Sequence, residues 1–345
     1  MALYKELVIA QIIPETQDTK TFVLVPLSAA DHIEYKAGQF LTLVFPRKED
    51  EDRRSFSISS TPGSGVSLSI TVKRIDNGAY SRWLIDHARE GDRLLSIGAS
   101  GFFTLPDDLK PYRQVFFFAA GSGITPVYAL IKTLVQHSGI PAITLVYSNR
   151  SMANTIFYKE LRDLEAAYPQ LHIEFLFSSS VNLGRARLSK WLLEILLKEY
   201  SRAPYSQSLF FLCGPYEYMR MASIGLIAQG VPEQHIRKED FVPLKLEPKE
   251  LPPDTEAHTV VLNINGQEHR LPVQYPDTIL KAAKKAGLPL PYSCEAGRCG
   301  TCVALCSAGR VWMSYNEVLV DSDLDKGLIL TCTGYPVGGD VSLKI

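Results

Sequence analysis

Cys294-Glu295-Ala296-Gly297-Arg298-Cys299-Gly300-Thr301-Cys302, with Cys332 following downstream, is the stretch from which the rest of the chain can be read. A C-x4-C-x2-C run completed by one distant cysteine is the plant-type ligand spacing for a [2Fe–2S] cluster, in which four thiolates hold two irons and two sulfides. Wrapping three ligands around a cluster needs close backbone approach and unusual φ angles, and Gly297 and Gly300 lie inside the loop to permit both. Backbone N–H groups aimed at the sulfurs would offset the negative charge of the thiolate-bound cluster. A zinc site would more commonly show two short cysteine pairs, and here one pair is replaced by a single distant residue. Cys306 fits no ligand position and is expected to be a small buried hydrophobe. Such a cluster moves one electron at a time, so the remaining sequence should hold that electron's supplier or its customer.

With 345 residues the chain is long enough for two or three domains. Basic and acidic residues nearly cancel, 36 against 37, which argues against a nucleic-acid partner. The start, Met1-Ala2-Leu3-Tyr4-Lys5-Glu6, lacks the apolar core of a signal peptide. No run approaches the ~18 apolar residues of a membrane span. A reducing cytoplasm, free thiols and no membrane partner are therefore expected.

Residues 1–108 alternate short β-rich runs with turns, among them 21–25, 40–45 and 66–72, with one helix from Tyr80 to His87; closely spaced strands of this kind predict a barrel or sandwich. From residue 109 to 243 the pattern changes. Apolar strands at 115–120, 143–147, 172–177 and 208–213 alternate with helices near 126–137, 155–167 and 189–200, the signature of a doubly wound parallel sheet. Residues 244–256, rich in proline and acid, read as a linker. Residues 257–345 carry the four cysteines.

Two groups of motifs bear on chemistry. In the β-rich part, Arg54-Ser55-Phe56-Ser57 offers a guanidinium for a phosphate beside a strand that could line an isoalloxazine ring. Gly78-Ala79-Tyr80-Ser81 opens the expected helix, a ready anion site. Gly98, Gly101 and Phe102 form a third candidate stretch. In the α/β part, Gly121-Ser122-Gly123-Ile124-Thr125-Pro126 joins a strand to a helix, which suits a pyrophosphate. Cys213-Gly214-Pro215 ends another strand, where open α/β sheets place ligands. Arg150, after the second strand, and Arg185 and Arg187, after the third, could recognise a 2′-phosphate; a solvated basic loop is the plainer alternative. The seven histidines form no H-E-x-x-H or comparable metal-hydrolase motif.

With R-x-[YF]-S, G-x-x-S, G-S-G-I-T-P and C-G-P in this order, the chain resembles the ferredoxin–NADP reductase superfamily over essentially its whole length. The fused plant-type ferredoxin makes it similar to oxygenase reductases, those of the phenylacetyl-CoA epoxidase type in particular. The resemblance implies an N-terminal antiparallel flavin-binding β-barrel, a doubly wound parallel α/β nicotinamide-binding domain and a C-terminal β-grasp [2Fe–2S] domain. It implies that Arg54 contacts the flavin pyrophosphate, that Ser57 lies near flavin N5 and that Ser81 binds phosphate, with Ser55, Phe56, Lys73 and Gly78 completing the site. Phe56 departs from the commoner tyrosine, losing a hydroxyl but keeping a ring. On the nicotinamide side it implies that Gly121, Gly123, Thr125, Gly214 and Pro215 hold the dinucleotide and that Cys213 lies beside the ring. Glu239, in Glu239-Asp240-Phe241, would be the assisting carboxylate, with an exposed charge as the competing reading. Arg150 and Arg187 would select NADPH, and Cys294, Cys299, Cys302 and Cys332 would hold the metal. FAD rests on the resemblance, because a related branch with the same domain order uses FMN. The implied activity passes electrons from NADPH through FAD and [2Fe–2S] to an oxygenase partner of the di-iron kind. A reductase for a desaturase or another hydroxylase, and a redox-sensing adaptor with little turnover, are the alternatives. Arg298 is expected on the partner-docking surface, and the linker is expected to let the ferredoxin part shuttle.

Overall fold

The computed structural model describes residues 4–46, 51–63, 67–136, 142–241 and 250–345. Residues 244–249 of the expected linker, Val66 of one expected strand and His137 of one expected helix lie outside the described residues. Residues 250–256 have no regular secondary structure.

Six strands form the first sheet: β1 (Lys5–Thr16), β2 (Thr19–Pro26), β3 (Phe40–Pro46), β4 (Glu51–Ser57), β5 (Leu68–Lys73) and β6 (Arg93–Ser100), with α1 (Ala79–Asp86) between the last two. Their order is β4-β3-β6-β1-β2-β5, and every pair is antiparallel. The ends of this order meet in a bridge between Ile58 and Ile70, which closes the sheet into a barrel and removes its open edge. Phe22, Ile9, Leu41, Ile58 and Ile70 fill the inside without solvent contact.

The second sheet is wholly parallel, built from β7 (Gln114–Ala120), β8 (Ala142–Asn149), β9 (Leu171–Phe177), β10 (Ser208–Cys213) and β11 (Ile236–Glu239) in the order β11-β10-β7-β8-β9. Helices α2 (Ile124–Val135), α3 (Tyr158–Ala167), α4 (Lys190–Tyr200) and α5 (Tyr216–Ala228) cover both faces. That coverage explains the continuous apolar run of β7. Phe116 and Phe118 enter the core beneath α4 and α5, while Val115, Phe117 and Ala119 enter the core beneath α2 and α3. Pro126 sits in the first turn of α2, where a missing N–H costs no hydrogen bond. The helix expected from residue 155 starts instead at Tyr158. Phe157 takes φ 58, and Ile156 and Phe157 are buried, with the Phe157 ring stacked 4.2 Å from Tyr128. Burying both side chains forces the left-handed residue and delays the helix.

The last segment contains β12 (His258–Ile264), β13 (Gln267–Val273), α6 (Ile279–Lys285), β14 (Val303–Ala308), β15 (Val311–Met313), α7 (Asp321–Leu324), β16 (Leu328–Leu330), β17 (Gly334–Pro336) and β18 (Val341–Lys344). A mixed sheet runs β13-β12-β18-β14-β16, with β12 and β18 parallel, and β15 pairs with β17. Ile279, Leu280 and Ala283 of α6 pack into its core with Val260, Leu262 and Leu343, which gives a β-grasp. Antiparallel barrel, doubly wound α/β sheet and β-grasp thus follow in the order the sequence implied.

Candidate functional site

The order of the parallel sheet puts its switch point between β7 and β10, and open α/β sheets bind ligands beyond the strand ends at such points. The turns that follow these two strands interlock. Gly123 has an ordinary φ of −61, but a Cβ there would overlap the Cys213 carbonyl. Gly121 is the reverse case, with φ +55 and open space beside it, so its conformation favours glycine and its surroundings leave room for a ligand. Thr125 Oγ1 donates to Ser122 O at 3.0 Å and Tyr147 OH to Gly121 O at 3.0 Å, so both hydroxyls brace the turn. Gly214 lies against Ala120, and Pro215 caps α5. Gly123→Ala should therefore lower stability by at least about 2 kcal/mol. Gly121→Asn, which tolerates a left-handed φ, should cost less than about 1 kcal/mol. Thermal or denaturant melts of the two variants check the contrast.

Cys213 and Glu239 are opposite one another across the β10–β11 ladder. Ser57, the last residue of β4, reaches over from the barrel, and its Oγ donates to Glu239 Oε1 at 3.1 Å. Glu239 is half-buried as a residue, but its Oε2 is enclosed and has no hydrogen-bond partner among the described residues. Burial pushes the carboxyl up to about 8 against the lowering pull of the Ser57 hydroxyl. Burial first, then the charges of Glu239 and Asp240, pushes the Cys213 thiol well up, so it stays neutral. An enclosed polar oxygen left without a partner costs about 1–3 kcal/mol, and a polar group of a ligand would relieve it.

Alternation splits β4 into two faces, with Arg53, Ser55 and Ser57 on one and Arg54 and Phe56 on the other. Arg54 is exposed; it donates to Arg53 O at 2.7 Å and lies 5.1 Å over the Tyr80 ring. Tyr80 stacks on Phe45 at 4.1 Å, and its hydroxyl bonds to Asp52. Gly78 caps α1 with no side-chain bond to the first turn, which suits an anion. Ser81, also expected to hold phosphate, is buried; its Oγ donates to Gly78 O at 3.1 Å and accepts from Ile75 N at 3.3 Å. Its hydroxyl closes the turn that shapes the helix start. Lys73 Nζ lies 3.5 Å from Asp18, Phe56 leans on the barrel core, and the Ser55 hydroxyl bonds to Thr42 at 3.1 Å and to Ser293 at 2.8 Å.

Ser293 begins the cysteine loop. Cys302 and Cys332 are buried, Cys294 and Cys299 half-buried. The thiols contact one another in two pairs, Cys294 with Cys299 and Cys302 with Cys332. Among the described residues no three His, Cys, Asp or Glu side chains converge on a single ion. Two thiols per iron would fit a binuclear cluster, for which four sulfurs could supply the ligand set. Bonds from the Cys299 thiol and from the Arg298, Ala296 and Cys299 amides hold the Cys294 thiol well below its ordinary range. Gly297 and Gly300 take φ +70 and +74; a Cβ on Gly297 would lie 2.7 Å from Tyr315 O, and one on Gly300 2.6 Å from Phe102 Cδ2. Cys306 is half-buried rather than buried, its sulfur 3.5 Å from Ala308 O.

Residues 6–104 match the oxidoreductase FAD-binding domain model, 117–223 the oxidoreductase NAD-binding domain and 262–337 the 2Fe-2S iron-sulfur cluster binding domain. The ferredoxin reductase component of 3-ketosteroid-9-alpha-monooxygenase from Mycolicibacterium smegmatis is 34% identical, covering 98% of this chain and 96% of its own. A 1,2-phenylacetyl-CoA epoxidase subunit from Escherichia coli K12 is 31% identical over 99% of this chain and 97% of its own. The chain belongs to this family of flavin- and [2Fe–2S]-dependent oxygenase reductases. Phthalate dioxygenase reductase, 23% identical, shares the fold across 99% of this chain and 98% of its own with a TM-score of 0.60. The reductase is accordingly an NAD(P)H-dependent oxidoreductase. Among its described residues no helix is long and apolar enough to cross a membrane.

Of the three arginines beyond the parallel strands, Arg185 is engaged with Glu174 at 2.8 Å and Glu199 at 2.7 Å. Arg150 and Arg187 are exposed. The loops after β8 and β9 are tied together, Ser179 N donating to Arg150 O at 3.0 Å. Sequence reading missed Arg53, Tyr292 and Asp240. Arg53 Nη1 donates to Tyr292 O at 3.1 Å, and its guanidinium lies 3.7 Å over the Tyr292 ring. Alternation within β4 could have put Arg53 on the Ser55 face, but no local signal announces what that face meets. Arg298, expected on a docking surface, is 8% exposed and turned toward Asp240.

Proposed function

We propose that the reductase takes electrons from NADPH onto FAD and delivers them singly, through the [2Fe–2S] cluster, to a di-iron oxygenase component in the cytoplasm. The observation that carries this reading is the meeting of Ser57, Glu239 and Cys213 at the end of the strand whose other residues touch the cysteine loop. When bound, the flavin converts a two-electron hydride donor into single-electron steps that the cluster accepts. In this reading Gly121, Gly123, Gly214, Pro215 and the start of α2 hold the dinucleotide pyrophosphate, with Thr125 bracing the turn. Cys213 packs its neutral thiol beside the nicotinamide ring. Glu239 Oε2 bonds to the ring's carboxamide, and in its ionised form it accepts from the amide and stabilises the positive charge that grows as hydride departs. Ser57 orients Glu239 and lines the flavin edge. Arg54, Ser55, Phe56, Lys73, Gly78 and Ser81 form or support the flavin cradle. Domain limits at 108/109, 243/244 and 256/257 belong to the same reading.

Arg150 and Arg187 face the 2′-phosphate. Replacing both with alanine should raise KM for NADPH about tenfold or more, the worth of a lost charge-assisted contact, and leave KM for NADH within about twofold. Steady-state kinetics with both nucleotides checks this.

An oxygenase of the phenylacetyl-CoA epoxidase type is the proposed acceptor. A ketosteroid monooxygenase is the second reading, favoured by the slightly higher identity of its reductase component, 34% against 31%. Comparing purified oxygenase components as acceptors separates the two, and a desaturase or another hydroxylase would show as failure of both. The activity itself is tested by anaerobic titration with NADPH and NADH. Bleaching of flavin and cluster bands by NADPH at low excess supports the reading. No reduction by either nucleotide would leave a redox-sensing adaptor as the better account.

A further inference from the structure

Arg298 stands between two proposed cluster ligands, yet its side chain is only 4% exposed and crosses a domain boundary. Nη1 donates to Asp240 Oδ2 at 2.8 Å, Nη2 to Tyr315 OH at 3.0 Å, and Nε lies 3.2 Å from Glu317 Oε2. Asp240 is 11% exposed and directly follows Glu239. Three further contacts frame this one. Arg53 grips Tyr292, Ser55 bonds to Ser293, and the Phe102 ring occupies the space a side chain at Gly300 would need. On one side Arg298, Tyr292, Ser293 and Gly300 belong to the loop that carries Cys294 and Cys299, braced by Tyr315 and Glu317 from the β15–α7 connection. On the other they come from β4, from Phe102 just past β6 and from Asp240 just past β11, and β4 and β11 also meet at Ser57 and Glu239.

A buried ion pair contributes little net stability, because desolvating two charges offsets most of their attraction, but removing one partner leaves the other uncompensated. What such a pair can supply is a choice of one arrangement among several. Single-electron steps between buried carriers are steeply sensitive to their separation, so an arrangement fixed at this point bears on rate rather than on folding. We propose that Arg298 and Asp240 are a positioning pair that seats the cysteine loop against the flavin–nicotinamide junction and thereby sets the rate of the flavin-to-cluster step. This rests on the electron path given under Proposed function. Neither residue touches the reacting atoms.

The test uses the full-length, cofactor-loaded protein as parent, Arg298→Gln, Asp240→Asn and the double variant Arg298→Gln/Asp240→Asn. Rapid mixing with NADPH under anaerobic conditions reads flavin and cluster absorbance separately, and small-angle X-ray scattering reads domain docking without turnover. Iron and sulfide content normalises the rates. In Arg298→Gln, flavin reduction should stay within about twofold, because the Ser57–Glu239 bond does not involve Arg298. Cluster reduction should slow at least tenfold in both single variants, with a larger radius of gyration, and the double variant should lose no more than either single change, as two halves of one contact do. Cluster reduction within twofold of the parent in both single variants overturns the proposal, whether or not the particle expands. Slowing in Arg298→Gln alone also overturns it, since the effect would then belong to the loop and not to the pair. If Arg298→Gln fails to retain its cluster, Asp240→Asn, which leaves the loop sequence intact, decides. Failure of the parent to reduce its flavin with either nucleotide would defeat the proposed function, and the scattering comparison would still test the docking pair.

Discussion

Replacing Cys332 with serine should cut electron delivery to the oxygenase, or to cytochrome c, by at least about a hundredfold, while NADPH-driven reduction of ferricyanide stays within about twofold. A serine hydroxyl is too weak an acid to ionise at neutral pH, so it replaces a soft anionic ligand by a neutral hard one. Ferricyanide draws electrons directly from reduced flavin and does not need the cluster. The structure adds a second consequence. Cys302 and Cys332 belong to the β-grasp core with Leu330 and Ile279, and Thr331 between β16 and Cys332 bonds to Cys302 O through both N and Oγ1 at 3.1 Å. Ligand binding there is folding energy as well as redox chemistry. The variant should lose iron and labile sulfide together and show earlier melting of residues 257–345 alone. Full iron and sulfide content with normal delivery to cytochrome c would remove Cys332 from the ligand set.

Glu239→Gln should slow NADPH-dependent flavin reduction ten- to a hundredfold, roughly 1.4–2.7 kcal/mol of lost transition-state stabilisation. Its pH dependence follows from the raised carboxyl. With an ordinary value near 4.5 and a folded value of about 8, Glu239 is largely protonated at neutral pH and ionises as pH rises through 8. If the carboxylate is the form that steadies the positive ring, the parent rate should climb across pH 7–9, and the glutamine variant should be flat. Stability runs the other way. Below the ordinary value both folded and unfolded chains hold the proton. Between about 4.5 and 8 only the folded chain does, so folding becomes less favourable with rising pH by at most about 1.4 kcal/mol per unit, levelling off above 8. Glu239→Gln escapes this penalty and should gain stability over the parent as pH rises through that window. Stopped-flow rates and melts at pH 4.5, 6, 8 and 9 test both slopes. A parent rate independent of pH would sever the link between carboxylate charge and hydride departure.

Features legible in the sequence are those written in neighbouring residues. Cysteine spacing, the apolar run of β7 and the glycines between strands and helices each depend on local geometry, and each announced its element. Phe157 was not legible, because a bulky residue takes a left-handed φ only when the core around Tyr128 demands it. Ser81 carried a motif signal, but that signal could not say whether its hydroxyl faces a ligand or its own turn. Arg53 with Tyr292 and Asp240 with Arg298 lie 239 and 58 residues apart, and nothing near either member marks the other. Arg298 shows the cost of reading exposure from residue type, since a charge that should favour solvent is nearly enclosed by partners from two other segments.

Strand β4 has a consequence for how the molecule tolerates change. Arg53 and Ser55 point to the cysteine loop and Ser57 to Glu239, whereas Arg54 and Phe56 point the other way. Because strand periodicity is two, sliding β4 by a single residue against β3 would exchange these roles at a stroke, offering Arg54 to Tyr292 and withdrawing Ser57 from the carboxylate. The pairing of Arg54 with Leu43 and of Ser57 with Phe40 is thus one dial that aligns three neighbours together, and insertions beside β4 should be far less forgiven than substitutions within it.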